Sequence, residues 1–319
     1  MTSRRRFLAG ALGFACAPLA AQDKPAARIF RIGMLETLPI RANNANLAEL
    51  HRGMKELGYE EGRGYIVLYR SADGRTERFP ALAAELAKQK VDVFLTRGTP
   101  ATLAARDVEG AIPVVAAAIS DPIDAPLGNI TGLTSAVSEL GPKRLELLRA
   151  LAPGMKRVGA LVNPDNPASL GMWKVVQEAA PGMNIRVEMI DVRKPDELEL
   201  ALENAVKEGI DGLIFGVETL TQAYQTLIIE FAARQRLPAV YASRSFVESG
   251  GLLSYGAAYP NLYYRAAAFI DKVLKGARPG QLPIERPTKF ELVINRKTAA
   301  ALKITIPPDL LLRSDDIVD

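Results

Sequence analysis

The chain has 319 residues, which is enough for two domains of ordinary size, each with its own hydrophobic core. Apolar residues make up 48% and charged residues 24%, a composition that excludes a disordered or collagen-like chain. The net charge is +4, but Arg4, Arg5 and Arg6 are clustered at the N-terminus, and the rest of the chain is nearly neutral. No later run of basic residues is interleaved with aromatic ones, so no nucleic-acid partner is predicted.

Two scarce residue types restrict the chemistry. The sequence contains one histidine, His51, and one cysteine, Cys16. A Ser-His-Asp or Cys-His catalytic site would have to be built around His51, and a zinc site of histidines and cysteines lacks ligands. Carboxylate chemistry, lysine chemistry and plain ligand binding remain open at this point. We expect no metal and no cofactor, and we expect a protein that binds a small molecule and is not an enzyme.

Residues 1–21 are typical of an export signal. A basic segment precedes an apolar stretch that ends in small residues, and this stretch is too short to span a bilayer. The segment from Ser3 to Leu8 resembles the twin-arginine export consensus. A lipid anchor on Cys16 is disfavoured because Gly13 stands where such signals carry leucine. The mature protein is predicted to lie free in the periplasm.

From Ile29 onward, short β-rich apolar runs alternate with amphipathic helical stretches, as expected for a parallel sheet with helices on both faces. In the first helix, for example, Leu47, Leu50 and Met54 recur at helical spacing, and Gly58 ends the helix. The predicted strands of the first half are 29–35, 65–69, 91–95 and 112–117, and the helices between them are 45–57, 79–89 and 100–107.

The same order of elements then recurs. The strand that begins Arg157-Val158-Gly159 matches Arg31-Ile32-Gly33, and Gly209-Ile210-Asp211 matches Lys90-Val91-Asp92. This internal repeat predicts two similar α/β lobes in tandem. The predicted strands of the second half are 157–162, 185–190, 212–215 and 239–241, and the helices are 169–179, 195–208 and 221–234.

A long tail follows the second copy, with predicted strands at 252–255 and 290–294 and predicted helices at 261–275 and 296–302. We expect the tail to complete both sheets by crossing between the lobes more than once, which makes a hinge of several strands. The predicted fold class is α/β, with two doubly wound parallel-sheet lobes joined by a multi-strand hinge. The predicted lobes are 28–145 plus 255–283 and 146–254 plus 284–319.

Polar residues follow the predicted strands at the same end of both lobes. Ligands of open parallel sheets bind beyond the carboxyl ends of the strands. If the lobes face each other, these loops would therefore line the two sides of a ligand-binding cleft. The candidate ligand-binding residues are Glu36, Thr37, Arg97, Gly98, Thr99 and Asp121 in the first half, and Asn163, Asp165, Asn166, Glu218, Thr219, Tyr241, Arg244 and Tyr255 in the second.

Each candidate also has a purely structural interpretation. Thr99 before Pro100 is typical of a helix cap, and 163–167 is typical of a turn. Arg97 and Arg244 have the geometry to hold a carboxylate through two parallel hydrogen bonds, but arginines are also common on solvated surfaces. Tyr241 and Tyr255 lie near strand ends, where aromatic residues either stack on ligands or pack in the core. The sequence leaves these alternatives open.

Several stretches together resemble the ABC-transporter substrate-binding proteins, in the family that includes tryptophan- and phenylalanine-binding members with a type I periplasmic-binding fold. Two departures from the family pattern are the segment 124–128, where relatives carry Arg-Pro-Gly-Gly, and Lys303, where relatives carry glycine. The resemblance covers essentially the whole mature chain and rests on Thr99-Pro100-Ala101, Asp121-Pro122, Asn129-Ile130-Thr131-Gly132-Leu133, residues 250–256, Pro287-Thr288-Lys289-Phe290-Glu291 and Ile306-Pro307-Pro308-Asp309.

This resemblance implies a monomer whose cleft closes on a small molecule and which then docks on the permease subunits of an ABC importer. An amino acid or another small carboxylate is the expected ligand. Arg97 or the backbone amides at Thr99 would hold its carboxylate, and Asp121 or Glu218 its ammonium group. Two alternatives remain, namely a module that presents its bound state to a membrane receptor and a periplasmic enzyme that uses a pair of carboxylates.

Overall fold

Residues 28–119, 128–136 and 138–319 are described by a computed structural model. The predicted export signal, Cys16 and Asp121 lie outside these residues. The first part of the chain contains β1 (Phe30–Glu36), α1 (Asn44–Glu56), β2 (Tyr65–Ser71), α2 (Phe79–Lys88), β3 (Val93–Arg97), α3 (Thr99–Arg106), β4 (Val114–Ile119) and β5 (Ile130–Thr134).

The second part repeats this alternation and ends in the tail. Its elements before the tail are α4 (Gly141–Leu151), β6 (Arg157–Val162), α5 (Pro167–Ala179), β7 (Arg186–Asp191), α6 (Leu198–Lys207), β8 (Gly212–Phe215), α7 (Thr219–Ala223), α8 (Gln225–Arg234), β9 (Ala239–Tyr241), α9 (Arg244–Glu248) and β10 (Leu253–Ala257). The tail contains α10 (Tyr259–Leu274), β11 (Ile284–Glu285), β12 (Phe290–Asn295), α11 (Arg296–Ala301), α12 (Pro308–Arg313) and β13 (Asp316–Val318).

The strands form two sheets of the same design. The first sheet has the order β11-β5-β4-β3-β1-β2 and the second the order β13-β12-β10-β9-β8-β6-β7, so β6 to β10 occupy the positions of β1 to β5. Among the described strands, only β10 and β12 pair antiparallel. Apolar side chains pack on both faces of each sheet. The predicted α/β fold of two doubly wound lobes is confirmed.

A repeated aspartate aligns the central strands of both lobes. The Asp92 carboxylate accepts a hydrogen bond from the backbone N–H of Arg31 at 2.7 Å. The Asp211 carboxylate accepts from the backbone N–H groups of Lys156 and Arg157, each at 2.8 Å. Each aspartate lies one residue before the strand that neighbours the first strand of its lobe. The repeated sequence motif therefore aligns the amino-terminal ends of the central strands in the same way in both lobes.

The chain passes between the lobes three times within the described elements: from β5 to α4, from β10 to α10 and from β11 to β12. In the tail, α10 packs against α1 of the first lobe and β11 pairs with β5, while β12 pairs with β10 of the second lobe. The hinge therefore consists of three connections, and the tail completes both sheets.

Three segments lie on the other side of the predicted lobe boundaries. Helix α4 packs in the core of the second lobe through Leu145 and Leu148, although its first five residues, 141–145, fall within the predicted first lobe. Strand β10 belongs entirely to the second sheet, and β11 belongs to the first. The reason is that sheet membership depends on pairing with distant strands, and a strand of two residues has no periodicity from which to predict it.

Candidate ligand-binding site

The carboxyl ends of β1 and β3 face those of β6 and β8 across a closed cleft. Only a narrow void of about 10 Å³ remains between the facing loops, which is about the space of one water molecule. At the outer rim, Arg75 of the first lobe lies 3.6 Å from Asp196 of the second, measured between Nη2 and Oδ1. The void is lined by Thr37, Arg97, Gly98 and Pro100 of the first lobe and by Asn166, Val217, Glu218, Thr219 and Gln222 of the second.

Arg97 is the central cation of the cleft. Its side chain comes from the end of β3, is 3% exposed and donates from Nη2 to Oε1 of Gln222 in the opposite lobe at 3.1 Å. The guanidinium carbon also lies 4.4 Å from the ring centroid of Tyr259, a cation–π contact. The Nε–H of Arg97 and the Nε2 amide of Gln222 have no hydrogen-bond partner. Both lobes therefore present an unused donor at the void.

The backbone explains why Arg97 reaches this position. Gly98 follows directly and has a φ of +86°, a left-handed conformation that costs glycine little. This residue lets the chain turn from β3 into α3 without an intervening loop. The predicted site residues Arg97 and Gly98 therefore act together, one as the donor and the other as the turn that places it.

Glu36 lies beneath the void at the end of β1 and is fully buried. The Tyr263 hydroxyl of α10 donates to its Oε1, while Oε2 has no partner. Burial raises the pKa of Glu36 above its ordinary value, and the nearby positive charge of Arg97 opposes that rise. A buried carboxylate and a buried guanidinium from neighbouring strands of one lobe thus stabilise each other's charge.

Glu218 is the buried acid of the second lobe. It accepts hydrogen bonds from Nδ2 of Asn163, at 3.3 Å, and from Nδ2 of Asn166. Burial raises its pKa, while the amides of Asn166 and Asn163 and the backbone N–H groups after Glu218 favour its charged form. Asn166 also accepts from the backbone N–H of Ala168 at 3.1 Å and so caps α5. Glu218 therefore uses its oxygens to join the loops after β6 and β8.

This environment predicts the pH dependence of the Glu218 contribution to stability. The folded state holds the proton more tightly than the unfolded chain, so this contribution is largest below the unfolded-state pKa and is lost as the pH rises towards the folded-state pKa. We expect the free energy of unfolding of the wild type, minus that of Glu218→Gln, to fall by about 1.4 kcal/mol per pH unit in this window.

Urea unfolding of both proteins, measured from pH 4.5 upward, tests this expectation. Glu199→Gln is the matched control, because the Glu199 side chain is 55% exposed. The difference in free energy of unfolding between the wild type and Glu199→Gln should change little over the same pH range. A Glu218→Gln difference that stays flat or rises with pH would contradict the expected burial effect.

A second, larger cavity lies on the hinge side of the cleft. We call it the hinge-side cavity; its volume is about 210 Å³, and Arg97 lines both it and the narrow void. Asn43 and Asn46 at the start of α1 and Tyr259 at the start of α10 form its first-lobe wall. The second lobe contributes Ser243, Arg244, Ser245, Glu248 and Glu291.

The structure brings most of the sequence-predicted residues to the cleft. Thr37, Arg97, Gly98, Asn166, Glu218 and Thr219 line the narrow void, and Arg244 lines the hinge-side cavity. Glu36, Thr99 and Asn163 are buried at the ends of the strands beside them. Arg244 is already bonded within its own lobe, to Glu248 through Nε at 2.6 Å and to Asp316.

Three predicted residues lie elsewhere. Tyr241 is in the core of the second lobe, stacked between Phe215 and Phe246 with ring centroids 5.2 and 4.6 Å away. Tyr255 packs against Phe290 at a centroid distance of 6.4 Å and lines neither cavity. The Asp165 side chain is 66% exposed and pairs with Arg193. Tyr241 lies in the apolar core between the second sheet and the helices α6 and α8, so the core-packing alternative is correct for it.

Sequence reasoning missed several residues of the cleft, including Asn43, Gln222, Tyr259, Tyr263 and Glu291. Gln222 falls inside the predicted helix 221–234, which the structure divides into α7 and α8, so it belongs to the short helix α7 at the cleft. Tyr259 and Tyr263 belong to α10, whose first turn crosses the hinge. Nothing local in the sequence indicates that a helix from the tail contributes to the first lobe's site.

The described residues contain neither a metal-binding cluster nor a membrane-spanning helix. In this part of the chain, no group of three or more histidine, cysteine, aspartate or glutamate residues is arranged to hold a metal ion. None of the helices within 28–119, 128–136 and 138–319 combines the length and the apolar character needed to cross a membrane.

Comparison with known proteins assigns the chain to a family. The model for the family described as ABC transporter substrate binding protein matches residues 34–318. A tyrosine-binding protein of Clostridioides difficile (strain R20291) is 25% identical over 259 residues, which cover 79% of this chain and 74% of the relative.

Two solved structures share the fold. A domain from Streptococcus pneumonia in complex with L-Trp has a TM-score of 0.82 at 23% identity and covers 91% of this chain and 100% of its own. A ligand-free, open substrate-binding protein with adhesive properties from Clostridium difficile has a TM-score of 0.63 at 22% identity and covers 91% of this chain and 99% of its own. Together with the family match over almost the whole described chain, this fold shows that the protein belongs to the ABC transporter substrate-binding proteins.

Proposed function

We propose that this protein is the exported solute-binding component of an ABC importer, which closes on a small carboxylate, most simply an amino acid, and delivers it to a membrane permease. The observation that carries the proposal is the bond between Arg97 and Gln222 across the cleft, next to an unpartnered N–H group on each of the two residues. A carboxylate placed there would accept hydrogen bonds from both lobes at once.

The proposed cycle follows from this arrangement. In the open protein, the ligand carboxylate binds first to the preformed cation of Arg97, which lies on a rigid strand end of the first lobe. Closure then brings Gln222 of the second lobe to the same carboxylate. The ligand therefore stabilises the closed form only to the extent that it contacts both lobes. Movement about three chain connections keeps each lobe rigid during closure.

Two further observations support amino-acid import. One relative of this chain is a tyrosine-binding protein, and one solved structure with the same fold contains bound L-Trp. The sequence of residues 1–21 is typical of an export signal with a twin-arginine segment. We therefore place the mature protein in the periplasm, where it would collect its ligand before it docks on the permease.

Thermal unfolding with a panel of ligands tests the binding function. The purified protein is first unfolded and refolded, which removes any ligand retained from the cell. The panel contains amino acids, carboxylates without an amino group, the corresponding amides and simple sugars. A ligand at a hundred times its dissociation constant should add about 2.7 kcal/mol of stability, or several degrees in Tm. We expect a shift from acids and none from their amides. A well-folded protein that responds to no class of ligand would contradict the proposal.

A further inference from the structure

The hinge-side cavity, unlike the narrow void, is large enough to hold part of a ligand, and its walls are chemically distinct. The first-lobe wall presents Arg97 and Asn43, and no acidic side chain of that lobe lines the cavity within the described residues. The second-lobe wall contains two carboxylates, Glu248 and Glu291, and the hydroxyl groups of Ser243 and Ser245. The cavity is therefore polarised from one lobe to the other.

Asn43 supplies a second donor on the first-lobe wall. Its side chain is 1% exposed, and its Oδ1 accepts a hydrogen bond from Nδ2 of Asn46 at 2.7 Å. This bond fixes the orientation of the amide and leaves Nδ2 as a donor without a hydrogen-bond partner. The amide lies close to the Glu36 carboxylate and favours its charged form, but in a geometry too poor to satisfy Nδ2 fully. A buried amide donor without a partner costs stability unless a ligand oxygen satisfies it.

The opposite wall is suited to a hydrogen-bond donor. Glu248 is paired with Arg244, but Glu291 has only a distant ion pair with Lys289, at 3.5 Å between Oε1 and Nζ. The Glu291 side chain is 15% exposed, so a ligand in the cavity would screen it from water. The single aromatic ring on the cavity wall, Tyr259, already stacks with the Arg97 guanidinium. The cavity therefore offers hydrogen-bonding partners at both ends and little aromatic surface. The rest of its lining is aliphatic: Leu38, Ala42, Ala45, Ala257 and Pro260.

We propose that the hinge-side cavity is the specificity pocket of the ligand and selects a small amino acid with a hydrogen-bonding side chain over an aromatic or aliphatic one. This inference rests on the proposed binding function and names the class of ligand. An oxygen of the ligand accepts from Asn43 Nδ2 beside Arg97, and a donor group of the ligand faces Glu291. The cavity of about 210 Å³ is below the size of typical drug-sized ligand pockets, which start near 300 Å³, in keeping with a compact ligand.

Isothermal titration with L-serine, L-glutamine and L-aspartate, against L-leucine, L-phenylalanine and L-tryptophan, tests the proposal. We expect at least one polar amino acid to bind tenfold or more tightly than every apolar one. Tightest binding of an aromatic or aliphatic amino acid would overturn this inference while it upholds the proposed binding function. Absence of binding by any amino acid or other carboxylate would instead overturn the binding function, and the inference with it.

Variants at Asn43 test the residue assignment. Asn43→Leu should weaken the preferred polar ligand by tenfold or more and reduce its advantage over leucine. Asn204→Leu, on the exposed surface of α6, is the matched control and should leave both affinities unchanged. If Asn43→Leu does not fold, Asn43→Ser removes the same amide with less steric change, and circular dichroism of the free protein verifies its folding. Unchanged affinity for the polar ligand in a folded Asn43 variant would overturn the assignment.

Discussion

Replacement of Arg97 by methionine is expected to abolish the stabilisation by ligand and to lower the free energy of unfolding by about 3 kcal/mol. The guanidinium opposes the effect of burial on the Glu36 pKa more strongly than any neighbouring hydrogen bond does, and it also bonds Gln222 and stacks on Tyr259. Its loss leaves a buried carboxylate without a compensating charge. Urea unfolding with and without ligand measures both effects.

Two further variants separate the roles of Arg97. Adding Glu36→Gln to Arg97→Met removes the uncompensated carboxylate, so we expect part of the stability to return while ligand binding stays lost. Arg234→Met is the matched control, because its side chain is 57% exposed and lies far from the cleft on α8. It should change stability by less than about 1 kcal/mol. A ligand-induced shift of normal size in Arg97→Met would contradict the proposed site.

Gly132→Ala is expected to lower the free energy of unfolding by more than about 4 kcal/mol, enough to prevent folded protein from accumulating. Gly132 lies in β5 beside β4 and has a φ of +126°. A Cβ atom there would lie 2.1 Å from the backbone oxygen of Ala116 and 2.7 Å from its backbone nitrogen. Because both are atoms of the neighbouring strand, the clash cannot be relieved by rotating a side chain.

The control is Gly110→Ala. Gly110 also has a positive φ, but no backbone atom of a neighbouring strand lies close to it. Gly110 has a φ of +96° and no atom within 4 Å of the added Cβ. It should cost only about 1 kcal/mol, the usual effect of a left-handed conformation on alanine. Soluble yield and thermal unfolding by circular dichroism compare the two variants. Equal stability of Gly132→Ala and Gly110→Ala would show that β4 and β5 separate more easily than the structure implies.

The repeated pattern of the sequence predicted the architecture well where periodicity is strong. Strands β6, β8 and β9 have the predicted bounds, and the other predicted strands of the two halves differ by a few residues. The repeated Val-Asp and Ile-Asp motifs correspond to equivalent hydrogen bonds at the starts of β1 and β6. These elements are determined by local alternation of apolar residues and by short-range motifs, which are visible in one sequence.

The missed elements share a different property. Strands β5, β11 and β13 and helices α9 and α12 are two to six residues long, and α4 lies between the two repeated series. Such short segments form because they pair with or pack on parts of the chain that are distant in sequence. Their own composition carries too little periodic signal to predict them.

By itself, the sequence determined the two-lobed α/β fold, the repeat, the family resemblance and the end of each lobe at which polar residues gather. Only the tertiary structure decided which of these residues meet, since Arg97 and Gln222 are 125 positions apart and Glu36 and Tyr263 are 227 apart. It also placed Tyr241 in the core and left Asn43 with a free donor at the hinge-side cavity. Hydrogen-bond satisfaction depends on contacts between distant segments, so the selectivity of a binding site is settled by packing and not by local pattern.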